Sequence, residues 1–515
     1  MKKLASFNKR YKDSYELHRS ENYVSQPLVS VITPVFNNEK TIKETLESVI
    51  QQSMMPQMEY IIIDDGSKDQ SRSILKQFVQ ENANVKVVLL KKNTGTPAYP
   101  RNLGIRLATA PYLTFLDADD WLEKTGLEKL YNILNETGDD YVVGRTIKVT
   151  SKKMVIAAEH ESCKERRSIP PTSIPDIFNH LGPRARMVKS SIIKEHRIQF
   201  PEMKYAEDKQ FFMEVLTKCQ KISTTANTIY YLNRLDENNE SLTKQTNALK
   251  KMQCNEKVIQ YFKQKELDAE VKKMVLNRLY EFDCFHGFMN RYHTLRSDYP
   301  SSVKDRVNDL LKRKAYINAL KKVLKTTTSL EYNIADCFHH PHNRIGYELF
   351  RQKRYKDFEE FMKWYNEERG KKYVIKKDAV YTISPLEEPY KFVKVPMYAE
   401  LVNCDYANGV FRMDIRITGD YPDAMEKVLF HDRKNSFNEL VLPIETYNRP
   451  LRRITIPEAF FSPFSKSVYN IFLVYNDYQK IPLQIPNSKL RLKKRQTNKH
   501  HFYKTIHDQL ALKVL

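Results

Sequence analysis

The chain has 515 residues, 41% of them apolar and 11% aromatic, which excludes wholesale disorder and exceeds the length of one compact domain. Lys and Arg number 85 against 63 Asp and Glu, a formal net charge of +22, so an extended partner is expected to be an anionic polymer or an acidic membrane surface. No apolar run is long enough to span a bilayer, and no nucleic-acid-binding motif occurs, so nucleic acid ranks last among the polyanions.

The polar N-terminal extension, residues 1–27, holds no apolar stretch that reads as a signal peptide. The six cysteines, Cys163, Cys219, Cys254, Cys284, Cys337 and Cys404, show no metal-ligand spacing and fit a reducing compartment. The expected location is therefore the cytoplasm or the inner face of the membrane. From residue 28 onward, β-branched runs alternate with amphipathic stretches. Residues 28–32, 60–63, 85–90 and 112–116 read as strands; residues 39–51, 67–78 and 100–107 read as helices. In the first helix Ile42, Leu46, Val49 and Ile50 recur at helical spacing. This alternation predicts an α/β, doubly wound and mostly parallel sheet over residues 28–245. Residues 246–370 read as a Lys-rich helical linker region. Short strand patterns separated by Pro, Asn, Asp and Gly predict an all-β sandwich over residues 371–488, and residues 489–515 read as a basic tail. The run His339-His340-Pro341-His342 reads as a surface loop rather than a metal site.

Sheets of this kind bind ligands beyond the carboxyl ends of their strands. Those ends carry Thr33-Pro34-Val35-Phe36-Asn37, Asp64-Asp65-Gly66-Ser67 and Asp117-Ala118-Asp119-Asp120. Alternating carboxylates cannot all face a core, because unpaired buried charge is costly. Mg²⁺ and Mn²⁺ take oxygen ligands and bridge a carboxylate to substrate phosphates. An Asp-x-Asp alone also suits a turn or a helix cap; its position after a strand favours a metal–diphosphate site. Further on, Glu207-Asp208 offers a carboxylate that accepts a hydroxyl proton. The plain alternative is that both acids favour a helix N-terminus. Arg184 and Arg186 fit either phosphate contacts or solvated positions.

Together with Pro100-Arg101-Asn102 and Tyr205-Ala206-Glu207-Asp208, the segments Val29-Ser30-Val31-Ile32-Thr33-Pro34-Val35-Phe36-Asn37, Ile63-Asp64-Asp65-Gly66-Ser67 and Phe115-Leu116-Asp117-Ala118-Asp119-Asp120 resemble the motif set of family 2 glycosyltransferases. The resemblance covers residues 28–245 and implies a GT-A fold, a UDP-sugar donor and inversion at the sugar. It further implies that Pro34 and Phe36 border the uracil, that Asp65 accepts its imide N–H, and that Arg101 holds the nucleotide. Asp117 and Asp119 would meet an Mn²⁺- or Mg²⁺-bound diphosphate, Asp119 as the direct ligand. Asp208 matches the general base, with Glu207 in support. Arg234, in Tyr230-Tyr231-Leu232-Asn233-Arg234 ahead of Ser241-Leu242, matches a phosphate contact, a solvated loop residue being almost equally open.

The order of catalytic domain, helical region and β-sandwich is similar to that of the wall teichoic acid glycosyltransferases of Gram-positive bacteria. That likeness implies transfer of a hexose or N-acetylhexosamine to an anionic poly(polyol phosphate), and a homo-oligomer, a trimer, built on the C-terminal region. One alternative is a lipid-linked capsule or exopolysaccharide acceptor, with the basic tail as a peripheral membrane contact. Another is a catalytically inactive polyanion-binding protein, against which the intact Asp65, Asp119 and Asp208 argue. The sugar and the polyol stay open.

Overall fold

The computed structural model describes residues 15–235, 246–292, 303–367, 371–377, 379–435, 439–444, 451–485, 497 and 499–515. The chain divides into two compact units, the first running to Arg278 except for Lys152–Val155, which belongs with the second. The first unit therefore includes two helices, Ala248–Gln264 and Ala269–Asn277, that the sequence pattern grouped with the helical region.

A mixed sheet organises the first unit. Its strands are β1 (Tyr15–Arg19), β2 (Val29–Val35), β3 (Met58–Asp64), β4 (Val85–Leu90), β5 (Tyr112–Phe115), β6 (Trp121–Leu122), β7 (Tyr141–Val149), β8 (Arg186–Lys189) and β9 (Ile222–Asn233). They lie in the order β1-β4-β3-β2-β5-β8-β7-β9-β6. The pairs β2–β3, β3–β4 and β2–β5 are parallel, whereas β1 and β8 run antiparallel to their neighbours. Every residue of β3 is buried, as expected of a parallel strand covered on both faces. The segment read from sequence as an extension thus contributes the edge strand β1.

Helices α1 (Ile42–Ile50), α2 (Ser71–Glu81) and α3 (Ala98–Leu107) form where the sequence places them, within a few residues. In α1 the apolar positions Ile42, Leu46 and Val49 turn into the core with Val31, Tyr60 and Ile62 of the sheet. Register then decides where chemistry collects. Val35 pairs with Asp64, Asp64 with Leu89, and Ile32 with Phe115, so the carboxyl ends of four strands share one edge. Gly66, at φ 75°, turns the chain there, and a Cβ on it would lie 2.6 Å from the Asn93 nitrogen.

The second unit is described by itself. Helices Val303–Lys325, Pro341–Arg351 and Tyr355–Glu367 precede two sheets. The expected all-β region is present, but its strands join into one sheet more than they separate into two layers. The parallel pairing of Ala399 with Leu483 and Glu400 with Gln484 links the halves, and residues from both, such as Phe430 and Ile456, share one core. Within the expected basic tail, His500–Lys504 and Leu510–Val514 pair with each other, and the latter pairs with Val468–Tyr475. Lys489, Arg491, Lys493, Lys494 and Arg495 lie outside the described residues, as do Ser241, Leu242 and Gly370. The histidine run is only partly the expected surface loop: His339 and His340 are exposed and precede a helix, whereas Pro341 opens that helix and His342 is buried, stacked on Tyr365 at 3.9 Å. Among the described residues no helix is long and apolar enough to cross a membrane, and no group of three His, Cys, Asp or Glu could hold a metal by itself.

Close packing of α3 on β2 rests on Gly104, where a Cβ would lie 2.4 Å from the Ile32 Cγ2. Both sides of that contact are buried, so Gly104→Ala overpacks it and should destabilise the first unit by about 1–3 kcal/mol. Urea unfolding checks this; an unchanged first transition would show that β2 yields freely.

Candidate active site

At the shared edge, the loops after β2 and β3 are tied together by their backbones. The Asp65 amide donates to the Val35 carbonyl at 2.7 Å, the Asn37 amide to the Ser67 hydroxyl at 3.0 Å, and the Lys68 amide to the Asn37 side chain at 2.9 Å. Pro34 is half-buried, while Phe36 leaves 43% of its surface exposed, an open ring at a strand end. The two acids of the second loop do different work. Asp64 is buried and accepts the Gly66 and Ser67 amides and the Arg72 guanidinium, so it shapes the turn. Asp65 accepts the Thr94 amide and hydroxyl, each at 2.9 Å. Burial pushes its carboxyl up to about 6, although the Thr94 bonds pull the other way.

Arg101, on α3, is the hub of the site. Its guanidinium is almost wholly buried and donates to Asp117 at 2.7 Å and to Glu207 at 3.2 Å. Burial disfavours its charge, but Asp117 and Glu207 outweigh burial and hold it more firmly protonated than usual. The neighbouring Asn102 exchanges hydrogen bonds with the Phe200 backbone, at 2.8 Å and 2.9 Å. That reciprocal pair fixes α3 against the segment leading to the helix Glu207–Lys218, which is α5 here after α4 (Gly126–Thr137). Phe200 in turn stacks on Phe211 of that helix at 3.8 Å. Three sequence-distant motifs are thereby locked into one network.

The Asp117–Asp120 segment forms a turn in which the Asp120 amide donates to the Asp117 carbonyl. Asp120 is buried and accepts the Tyr230 hydroxyl and the Asn233 amide, both at 2.7 Å. Its carboxyl is pushed well above the usual range by burial and by the charges of Asp119 and Asp117. Asp117 and Asp119 both stay half-buried. This crowding of acids fits a divalent cation, which would relieve the repulsion. Mg²⁺ or Mn²⁺ commonly takes one or two carboxylates and completes its shell with phosphates and water. Asp119 and Asp117 are the residues that would hold it. Arg234 directly follows Asn233 and donates to the Asn233 carbonyl, which keeps it at the margin of this turn.

Ala206 adopts a left-handed backbone, φ 69°, immediately before the acids of α5. A non-glycine residue there is strained by about 1 kcal/mol, and such strain concentrates at functional sites. It presents Glu207 inward to Arg101 while Asp208 remains partly accessible. Burial and the Asp208 charge push the Glu207 carboxyl up to about 7. Asp208 is also raised, by burial, with Arg101 and Lys209 opposing. Across Gly182 from Asp208 lies Arg184: a Cβ at Gly182 would sit 3.5 Å from the Asp208 Oδ2 and 3.4 Å from the Arg184 Nε.

Arg186 is fully buried and does not face solvent or a ligand. It pairs with both Glu161 oxygens at 2.7 Å, donates to the Tyr141 hydroxyl, and holds the carbonyls of Gly182 and Arg184 at 2.6 Å and 2.9 Å. It therefore fixes the loop that sets Arg184 beside Asp208. Of its two sequence readings, phosphate contact or solvated arginine, neither survives, because every polar atom of the group is spent on structure.

Residues 30–196 match the family model described as glycosyl transferase family 2. This chain contains a family 2 glycosyltransferase domain. The domain is 35% identical over 208 residues to the poly(ribitol-phosphate) beta-glucosyltransferase of Bacillus spizizenii, covering 39% of this chain and 32% of that protein. It is 34% identical over 210 residues to the poly(ribitol-phosphate) beta-N-acetylglucosaminyltransferase TarP of Staphylococcus aureus, covering 40% of this chain and 62% of TarP. The match thus spans less than two thirds of either relative. The crystal structure of S. aureus TarS shares the fold over 95% of this chain and 85% of its own, with a TM-score of 0.57 at 17% identity. TarS residues 1–349 in complex with UDP-GlcNAc cover 72% of this chain at a TM-score of 0.56 and 21% identity.

Within the first unit, the structure brings Arg101, Asp117, Glu207 and Asp208 into one cluster, and sets Pro34, Phe36 and Asp65 on adjacent strand ends. Sequence reasoning missed Thr94, Asn102, Asp120 with Tyr230, and Arg186 as positioning residues. Asn102 and Asp120 stand inside quoted motifs; the pairings that reveal their roles span 98 and 110 residues.

The Glu207–Asp208 pair takes up a proton as pH falls through about 7, so turnover should show an acidic limb there. Arg101→Gln removes the cation that favours the charged carboxylates, which raises their affinity for protons and moves that limb to higher pH. A pH–rate profile of both proteins checks this; coincident limbs would separate Arg101 from the titration.

Proposed function

We propose that the chain is an inverting, metal-dependent glycosyltransferase. In this reading it transfers a hexose or N-acetylhexosamine from a UDP-sugar to a hydroxyl of a poly(polyol phosphate) chain such as wall teichoic acid. The observation that carries the proposal is the Arg101 network, which joins the turn carrying Asp117 and Asp119 to the helix carrying Asp208. A site for a leaving diphosphate and a site for a base are thereby held at a fixed separation. The kinship to poly(ribitol-phosphate) transferases supports the acceptor class, as does the net charge of +22.

In this mechanism Phe36 stacks on the uracil above Pro34, and Asp65 accepts its imide N–H. Arg101 orients Asp117 toward the diphosphate. Asp119 would hold a divalent ion, which would supply charge neutralisation for the leaving UDP. The acceptor oxygen attacks the anomeric carbon from the face opposite the diphosphate. As the new C–O bond forms, the bond from that carbon to the phosphate oxygen breaks and its electron pair leaves with UDP. The hydroxyl proton passes to Asp208. Arg184, beside the base, is the cation placed to meet the phosphate next to the attacking hydroxyl, and Arg234 serves the donor side. The same reading includes a homo-oligomer built on the C-terminal strands, which light scattering on the purified chain reads directly.

Asp208→Asn should lower kcat for transfer by about 10²-fold or more, the usual scale for losing a general base, while UDP affinity stays within a few-fold of wild type. Substantial remaining turnover would remove Asp208 from that role. Asp119→Ala should abolish the dependence of UDP binding on Mn²⁺ in calorimetry. If wild-type UDP affinity were already indifferent to Mn²⁺, the metal would leave the mechanism. UDP release with purified poly(ribitol phosphate), poly(glycerol phosphate) and lipid-linked acceptors tests the acceptor class.

A further inference from the structure

A groove of about 620 Å³ opens in the helical part of the second unit, between the end of the helix Val303–Lys325 and the helix Pro341–Arg351. Four cations line it, Lys321, Lys325, Arg351 and Lys353, and no carboxylate does. Its other walls combine the aromatic rings of Tyr332, Tyr347, Phe350 and Tyr355 and the hydroxyls of Thr327 and Thr328 with the aliphatic Leu324, Leu330 and Ile334.

The plain explanation for basic residues at these positions is compensation of helix dipoles. Two helix C-termini supply a partial charge of roughly −0.5 each, about −1 in total. Against the four cations this leaves a charge of about +3 uncompensated within the groove. Lys353 strengthens the point, since it occupies a left-handed backbone position, φ 62°, where glycine or asparagine is ordinarily favoured. The Lys321 ammonium lies 4.8 Å from the centroid of the Tyr355 ring, so the cations and the aromatic wall form one surface.

We propose that this groove binds a phosphodiester-linked polyol, a stretch of the acceptor chain outside the catalytic pocket. Tyrosine faces and threonine hydroxyls suit the carbon skeleton and hydroxyls of a sugar alcohol. Fixed cations suit its regularly spaced phosphates. The inference rests on the acceptor class proposed above. Its consequence is a dependence on polymer length: a chain that engages the groove is tethered to the polypeptide that carries the base, at raised effective concentration, and a single repeat unit is not.

The test uses the full chain and the charge-reversal variant Lys321→Glu/Arg351→Glu, with Lys353→Glu as a second, independent variant. Both change exposed side chains and leave the buried core intact. With poly(ribitol phosphate) as acceptor, KM should rise about tenfold or more. The kcat, the KM for the UDP-sugar and the KM for a single-repeat acceptor should not change. Binding of fluorescently labelled poly(ribitol phosphate) without donor should weaken in parallel. An unchanged KM and unchanged binding in both variants would overturn the proposal, as would equal losses with long and single-repeat acceptors. Charge-reversal-sensitive binding of single-stranded RNA or of phosphatidylglycerol vesicles, tighter than that of the polyol phosphate, would also overturn it. Wild-type binding of the polymer without any transfer would instead count against the acceptor reading while leaving the groove assignment standing.

Discussion

A guanidinium removed from water is tolerated only where carboxylates meet it, and Arg101 meets two, Asp117 through one terminal nitrogen and Glu207 through the other. Removing Arg101 would leave two carboxylates without their shared cation, so the three residues behave as a unit. Around that unit the catalytic cluster assembles. Asn102 clamps α3 to Phe200, the stacked Phe200 and Phe211 seat the helix Glu207–Lys218, and Ala206 turns Glu207 inward. The position of Asp208, the proposed base, is thus set by contacts in which its own carboxylate takes no part.

The same network places titratable groups in unequal surroundings, which is how one site separates roles among similar acids. Asp64 and Asp120 are saturated with protein hydrogen bonds and shape turns. Asp117 is neutralised by Arg101, whereas Asp208 keeps an accessible face and a raised proton affinity. A base needs that combination: reach to a hydroxyl, and a proton affinity above that of an ordinary carboxylate. Arg186 adds a second layer, because it spends its whole guanidinium on Glu161, Tyr141 and the loop that carries Arg184. Two buried arginines therefore support the site, Arg101 within the acidic cluster and Arg186 through the loop that carries Arg184.

Much of this was legible in the sequence, for identifiable reasons. Parallel strands covered on both faces are continuous apolar runs, so β2, β3 and β4 stood out, and the carboxyl ends of β2, β3 and β5 pointed to Phe36, Asp65 and Asp117. Other features were hidden because they depend on partners far along the chain. Nothing local marks Arg186 as structural; its exclusion from the phosphate role follows only from Glu161 lying against it. The edge strand β1 is polar and short, and forms because β4 offers it an open edge. The histidine run reads as polar until Tyr365 and Glu281 are placed around it. The pairing that rolls the C-terminal strands into one sheet joins residues 399 and 483, beyond the reach of any periodicity.

The proposed reaction is a single displacement at the anomeric carbon, with Asp208 taking the proton and UDP leaving from the turn that carries Asp119. The anomeric configuration of the transferred sugar tests it most directly. Proton NMR of the product formed from an α-linked UDP-sugar and poly(ribitol phosphate) should show only the β-linkage, with UDP released in equal amount. An α-linked product would contradict one-step inversion, and with it the role assigned to Asp208.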